Sequence, residues 1–206
     1  MIRGSWIRVV ASGLIAVAVV GCSASAPARF YSLDSTATAD GPPLKRAAVM
    51  VGPVTVPAAV DQPEFVVQVA PNRVEVDEFN RWVAPLNDSI ARAIAGDLAL
   101  ELGTSQVATA PFVSFDAAYA VTIDVLRFES IRGEAAVVEA LWAVHRTDGG
   151  ATRMGHTLAR EAVQSDSFDA LAAAHSRALS IVSADIATAI RADASNKRKV
   201  ANRRDE

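Results

Sequence analysis

Several hydropathy patterns succeed one another along the chain, and each predicts its own kind of element. An unbroken apolar and small-residue run extends from Val9 to Val20 behind Arg3 and Arg8. Phe30, Tyr31 and Leu33 form a first short apolar cluster, and Val49, Val51, Val54 and Val56 form a second that breaks step at Gly52-Pro53. Both read as strands, the second with a bulge or an edge position. Phe65, Val67 and Val69 alternate with Val66 and Gln68, Pro71-Asn72 supplies turn chemistry, and Val74 and Val76 alternate with Arg73, Glu75 and Asp77. That is a β-hairpin. Leu86, Ile90, Ile94 and Leu98 then recur every fourth residue between Pro85 and Gly103, which predicts a helix with a proline at its start and a glycine at its stop.

The second half repeats the sequence of strands then helix. A short strand is expected around Val107, followed by Tyr119, Val121, Ile123 and Val125 on one face until Leu126 and Phe128 reverse the pattern. Val138, Ala140, Trp142 and Val144 mark the next strand, Asp148-Gly149-Gly150 its turn, and Thr152 to Val163 a returning partner. Ser167 is placed to cap a last helix whose stripe is Leu171, Ala174, Ala178, Val182, Ile186 and Ile190. From Asp193 the chain turns polar, with Lys197, Arg198, Lys199, Arg203 and Arg204, and has nothing to pack. Residues 193–206 are therefore expected to be a disordered basic tail, with contact to anionic lipid or an acidic partner as the alternative. These elements predict one layered α/β or α+β domain with helices packed on a mixed sheet, over residues 30–192.

The opening run is too short to be a permanent span: as a helix it reaches roughly 18 Å, whereas a bilayer core needs about twenty residues. With its arginines and the small residues that follow, it reads as a cleaved signal peptide over residues 1–21. Val19-Val20-Gly21-Cys22 resembles a bacterial lipobox, which implies cleavage between Gly21 and Cys22 and lipid on the Cys22 thiol. Several acyl chains on one residue bind a bilayer durably, at about 0.8 kcal/mol for each buried CH2. Ser23, where aspartate would favour retention at the inner membrane, favours the outer membrane by resemblance to the lipoprotein sorting rule. Residues 22–29, rich in Ser, Ala and Pro, make the tether between lipid and domain.

Composition narrows the chemistry. The core is aliphatic, since 51% of residues are hydrophobic and only 6% aromatic, and a net charge of −3 excludes a chain-wide nucleic-acid footprint. Cys22 is the single cysteine, so the mature domain holds no disulfide and no thiolate site. The three histidines lack metal-ligand spacing: His145 lies late in a strand, His156 in its partner, where the two could approach across the turn, and His175 on the rim of the last helix's stripe. Asp77-Glu78 is an adjacent pair whose side chains point apart on a strand. No nucleophile elbow and no phosphate loop is present. The expectation is a protein without catalytic residues, metal or cofactor. Phe79, Arg81 and Trp82 are the candidate interface residues, because Trp and Arg dominate binding hot spots; Trp82 is expected to pack mainly inward and Arg81 to face a neighbouring subunit or partner.

Phe30-Tyr31-Ser32-Leu33, Val51-Gly52-Pro53-Val54, Val56-Pro57, Asp61-Gln62-Pro63, Asn72 and Phe79-Asn80-Arg81-Trp82-Val83-Ala84-Pro85-Leu86 together resemble the ABC-type transport auxiliary lipoproteins, the PqiC/YmbA-like lipoproteins encoded with MCE-domain lipid transport systems. The likeness runs from Cys22 to about Ile190. Gln62 departs from it, standing where the family often has arginine. The resemblance implies a three-layer α/β domain and a non-catalytic, membrane-anchored accessory subunit in the periplasm. Its implied partners are an MCE-domain protein and a membrane permease, with a homo-oligomer as a further possibility. An envelope assembly or scaffold lipoprotein is the alternative, and a periplasmic hydrolase built on a noncontiguous site is the third class.

Overall fold

The computed structural model describes residues 26–112 and 114–202, with the side chains of 197–202 excepted. Gly21, Cys22 and Ser23 therefore lie outside the described residues. The strands are β1 (Arg29–Tyr31), β2 (Val49–Thr55), β3 (Glu64–Ala70), β4 (Arg73–Trp82), β5 (Val107–Thr109), β6 (Tyr119–Ile131), β7 (Ala135–Arg146) and β8 (Arg153–Ala162); the helices are α1 (Leu86–Leu102) and α2 (Phe168–Asn202).

Strand β6 is the axis of one mixed sheet. Along one side it pairs antiparallel with the whole of β7, which pairs in turn with β8. Along the other it pairs parallel with β2 through Tyr119–Asp124 and with β3 at Ser130–Ile131. The β3–β4 hairpin carries β1 on its free side, parallel to β4, and β5 lies outside β2. A register shift between Val125 and Arg127 explains why the buried face passes from Val125 to Phe128 rather than keeping a period of two. Strand β2 resolves the choice its sequence left open: it is bulged between Val51 and Val54, and it is flanked on both sides by β5 and β6.

Helix α1 packs on β2 and β5, α2 on β6, β7 and β8, and the helices pack on each other. Both lie on the same face of the curled sheet, the expected single domain of helices on a mixed sheet. The stripe of α1 is buried at Leu86, Ile90, Ile94 and Leu98, and that of α2 at Leu171, Ala174, Ala178, Val182, Ile186 and Ile190. Gly103 ends α1 in the left-handed conformation, φ 60°, which costs glycine nothing. The Ser167 hydroxyl accepts from the Ala170 N–H at 3.2 Å and opens α2.

One finding departs from expectation. The polar stretch from Asp193, expected to have nothing to pack, instead continues α2 through Asn202. Asp193 is itself buried, with the guanidinium groups of Arg146 and Arg153 at 3.6 and 3.4 Å. A carboxylate facing two arginines across the β7–β8 turn can be buried because its charge is met there. Residues 34–44, for which the hydropathy pattern predicts no element, form a strap along the two helices. Asp34 N–H donates to Ser176 Oγ at 3.1 Å; Ser35 Oγ, Thr36 N–H and Ala37 N–H donate to Asp97 Oδ1 at 2.7, 2.8 and 2.9 Å. Arg191 reaches the carbonyls of Asp40 and Pro42, and Leu44 N–H closes on Leu102 O at 2.7 Å. Gly96 permits the approach, since a Cβ there would stand 2.8 Å from that of Ser35.

Candidate interaction surface

At the β1–β4 end the core becomes aromatic. Trp82, only 5% exposed, stacks on Phe65 at 4.1 Å and meets Phe128 edge-on at 5.9 Å; Tyr31 and Phe168 close on Phe65 at 5.4 and 5.2 Å. Such pairs add about 0.5–1.5 kcal/mol each beyond area burial. Trp82 is a core residue here, and its backbone N–H donates to Pro63 O at 2.7 Å.

Its neighbours along β4 point the other way, because alternate strand residues face opposite sides. Arg81 stands on the outer face, opposite Phe30 of β1 and Glu64 of β3. The Arg81 guanidinium meets the Glu64 carboxylate at 2.5 Å, so this arginine has a partner within its own chain. Phe79 is 43% exposed, Phe30 62% and Val83 61%. Asp77 organises the approach to Phe79: one carboxylate oxygen accepts from the N–H groups of Phe79 and Asn80 and from the Asn80 amide at 2.9–3.0 Å. Partial burial works against its charge, but these hydrogen bonds prevail and its pKa is lowered. The Asp77-Glu78 pair is thus a carboxylate that shapes the bulge in β4, followed by an exposed one.

The histidines do not converge. His145 Nδ1 lies 3.0 Å from Thr152 Oγ1; His156 sits opposite Leu141, four residues along β7 from His145, and its Nε2 lies 2.9 Å from Glu139 Oε1. The expected approach of His145 to His156 across the turn is therefore corrected: the strand register separates them. His175 is also corrected, since it is completely buried and not on a rim. Its ring lies flat on Phe128 at 3.8 Å, and its Nε2 is 2.8 Å from Ser130 Oγ. Burial pushes its pKa down to about 3, so the imidazole is neutral. A Ser–His contact is half of a nucleophilic triad, but Ser130 is buried too, and His175 Nδ1 has no partner to orient it. The pair is a core contact. Among the described residues no group of three His, Cys, Asp or Glu side chains is placed to hold a metal.

The sheet face opposite the helices is the remaining open surface. Leu126, Leu141, Met154 and Leu158 are exposed on it, interleaved with the Arg127–Glu129 and Arg127–Glu139 pairs. A shallow groove of about 290 Å³ runs between hairpin and β6, lined by Val60, Val66, Val74, Leu126 and the flank of Arg127. Sequence reasoning missed this groove, because its wall is assembled from the loop before β3, the β3–β4 hairpin and β6, which lie far apart in the chain.

Residues 31–187 match the family model described as the ABC-type transport auxiliary lipoprotein component. Among solved structures, an uncharacterized protein shares 22% identity at a TM-score of 0.66, over 80% of this chain and 99% of its own. Protein XCC0632 from Xanthomonas campestris, of family DUF330, shares 20% identity at a TM-score of 0.66, over 82% and 99% respectively. At these identities the likeness establishes the fold. No functionally curated protein matches.

Proposed function

Because the chain belongs to the family of ABC-type transport auxiliary lipoprotein components, we propose that it is the periplasmic, lipid-anchored and non-catalytic accessory subunit of an MCE-type intermembrane lipid transport system. The family match carries the reading. What supports the finer part is the lipobox-like Val19-Val20-Gly21-Cys22 and an exposed surface of apolar residues and paired charges. Lipid on Cys22 holds the domain at a membrane, the outer one by the Ser23 criterion, and ATP hydrolysis belongs to another subunit. Among the described residues no helix is long and apolar enough to cross a membrane.

Capture of the lipidated protein from membranes, with its companions identified by mass spectrometry, tests the proposal. A permease, an ATPase and an MCE-domain protein are expected. Recovery of envelope assembly proteins alone would replace it with the scaffold reading. In cells, Cys22→Ser should abolish labelling by palmitate and leave precursor or released domain; unchanged labelling would end the anchor reading.

A further inference from the structure

We propose that Phe30, Phe79 and Val83 form a membrane-contact patch, which lays the β1–β4 edge of the sheet on the bilayer that holds the anchor. The proposal rests on lipid attachment at Cys22. The three residues surround one position: Phe30 stands opposite Arg81, Phe79 lies two residues before Arg81 in the bulge that takes Glu78–Asn80 out of the β3 ladder, and Val83 lies two residues after it, just past the end of β4, where its N–H donates to Tyr31 O at 2.9 Å. Each is exposed, Phe30 and Val83 by three-fifths, although the inward neighbours Tyr31 and Trp82 are buried. Two phenylalanines and a valine exposed around an arginine whose charge is already met by Glu64 call for an apolar neighbour.

The tether identifies that neighbour. The seven residues from Ser23 to Arg29 reach at most roughly 25 Å, so β1 is the part of the domain held nearest the lipid. Arg29 pairs with Asn80, which places the tether's exit beside Phe79. Phe79 and Phe30 are thus among the large exposed hydrophobic residues nearest the anchor. Arg29 and Arg81 flank them with long stems that let a guanidinium sit at headgroup level while the rings enter below. Charge is balanced rather than basic: Glu64 pairs with Arg81, and Glu78 is exposed beside Phe79. Insertion is therefore driven by apolar burial and suits a zwitterionic surface.

The test imposes the anchor chemically, so that it does not depend on processing in cells. Cys22 is the only cysteine, and the unlipidated chain from Cys22 to Glu206 can be coupled through its thiol to maleimide lipid in phosphatidylcholine vesicles. Tryptophan is introduced as Phe30→Trp, as Phe79→Trp, or as Met154→Trp on β8, five strand spacings from β1 and four from β4, roughly 19–24 Å across the sheet. With lipids brominated high on their acyl chains, the added fluorescence of Phe30→Trp and Phe79→Trp should fall about twofold or more and should not recover in high salt, whereas Met154→Trp should be unaffected, as expected for shallow apolar insertion. Coupled protein in which both aromatic-site variants stay unquenched would overturn the patch and assign the surface to a protein partner or a second copy. Quenching of all three equally would also overturn it, because the domain would then have no fixed face. Palmitate labelling of Cys22 tests the anchor itself, and its failure is seen in a different measurement.

Discussion

The neutral, buried His175 implies a definite loss of stability in acid. Its ring is enclosed by Phe128, Trp82 and Ser130, with no carboxylate among these contacts to compensate a proton. Burial lowers its pKa from 6.5 to about 3. In the unfolded chain the same imidazole takes up a proton as pH falls through 6.5, so between 6.5 and 3 the unfolded state binds more protons. Stability must then rise with pH across that window and be lost as pH falls through it. A tenfold difference in proton affinity between the two states is worth about 1.36 kcal/mol, so the full loss by pH 3 is about 4–5 kcal/mol, and the loss between pH 7 and pH 5 is about 2 kcal/mol. A domain of this size has only about 5–15 kcal/mol in total.

The assay is urea unfolding of the unlipidated mature chain at pH 7 and pH 5, against a Ser130→Ala/His175→Phe double variant. Phenylalanine keeps the stack on Phe128, and alanine removes the hydroxyl that would otherwise be left without a partner. Carboxylates elsewhere titrate alike in both proteins and cancel in the difference. The natural protein should lose about 2 kcal/mol more than the double variant on acidification. Equal losses would refute the reasoning, and would mean that His175 meets solvent or a counter-charge in solution.

Three further outcomes follow from the packing. Gly155→Ala should be severely destabilising, because a Cβ there would stand 2.0 Å from the Trp142 ring; a cost of about 2–3 kcal/mol or more would lower Tm by on the order of 5–10 °C in a thermal melt. Trp82→Ala should cost about 3–5 kcal/mol in urea unfolding, since the side chain is stacked in the core; a near-neutral result would return Trp82 to the surface. Asp97→Ala should release the strap, at a cost of about 3–5 kcal/mol because buried donors lose a charged acceptor, and limited proteolysis should then cut between residues 34 and 44 before it cuts the helices.

The elements that bury one side were legible in the sequence. Leu86, Ile90, Ile94 and Leu98 carry the helical period, and Val138, Ala140, Trp142 and Val144 the strand period, because one-sided burial imposes those spacings on any chain. The reversal at Leu126 was visible too, although its cause, a bulge, needed the partner strand. What stayed hidden was polar. His175 continues the α2 stripe four residues after Leu171, yet a histidine counts as polar until its surroundings are known. Asp97 lies beside Leu98 and three residues from Ile94, on the side of α1 that faces α2, and a carboxylate in that position was the one available signal for the strap. The strap residues gave none, since a segment held by hydrogen bonds needs no apolar period. Trp82 and Phe79 were both legible as important, and only the β1 register separates the inward residue from the outward one.

That separation ties the anchor to the fold. The chain leaving the tether enters β1, and within a few residues it is bonded to both helices through a single carboxylate: Asp97 Oδ1 holds Ser35, Thr36 and Ala37, while its Oδ2 accepts from Ser183 Oγ of α2 at 3.2 Å. Peeling the N-terminal segment away would strip this buried carboxylate of its three Oδ1 donors and leave it only Ser183, a cost of several kcal/mol that opposes any hinge at this point. Arg191 repeats the arrangement further along, reaching Asp40 and Pro42 of the strap and the Glu101 carbonyl at the end of α1, where a cation is favoured by the helix dipole. On the proposed attachment of lipid at Cys22, the strap is thus held to both helices within a few residues of the point where the chain enters the domain. If lipid sits on Cys22 as proposed, the short segment before the stitched β1 turns that edge of the sheet toward the membrane and leaves the opposite edge, at β8, facing away from it.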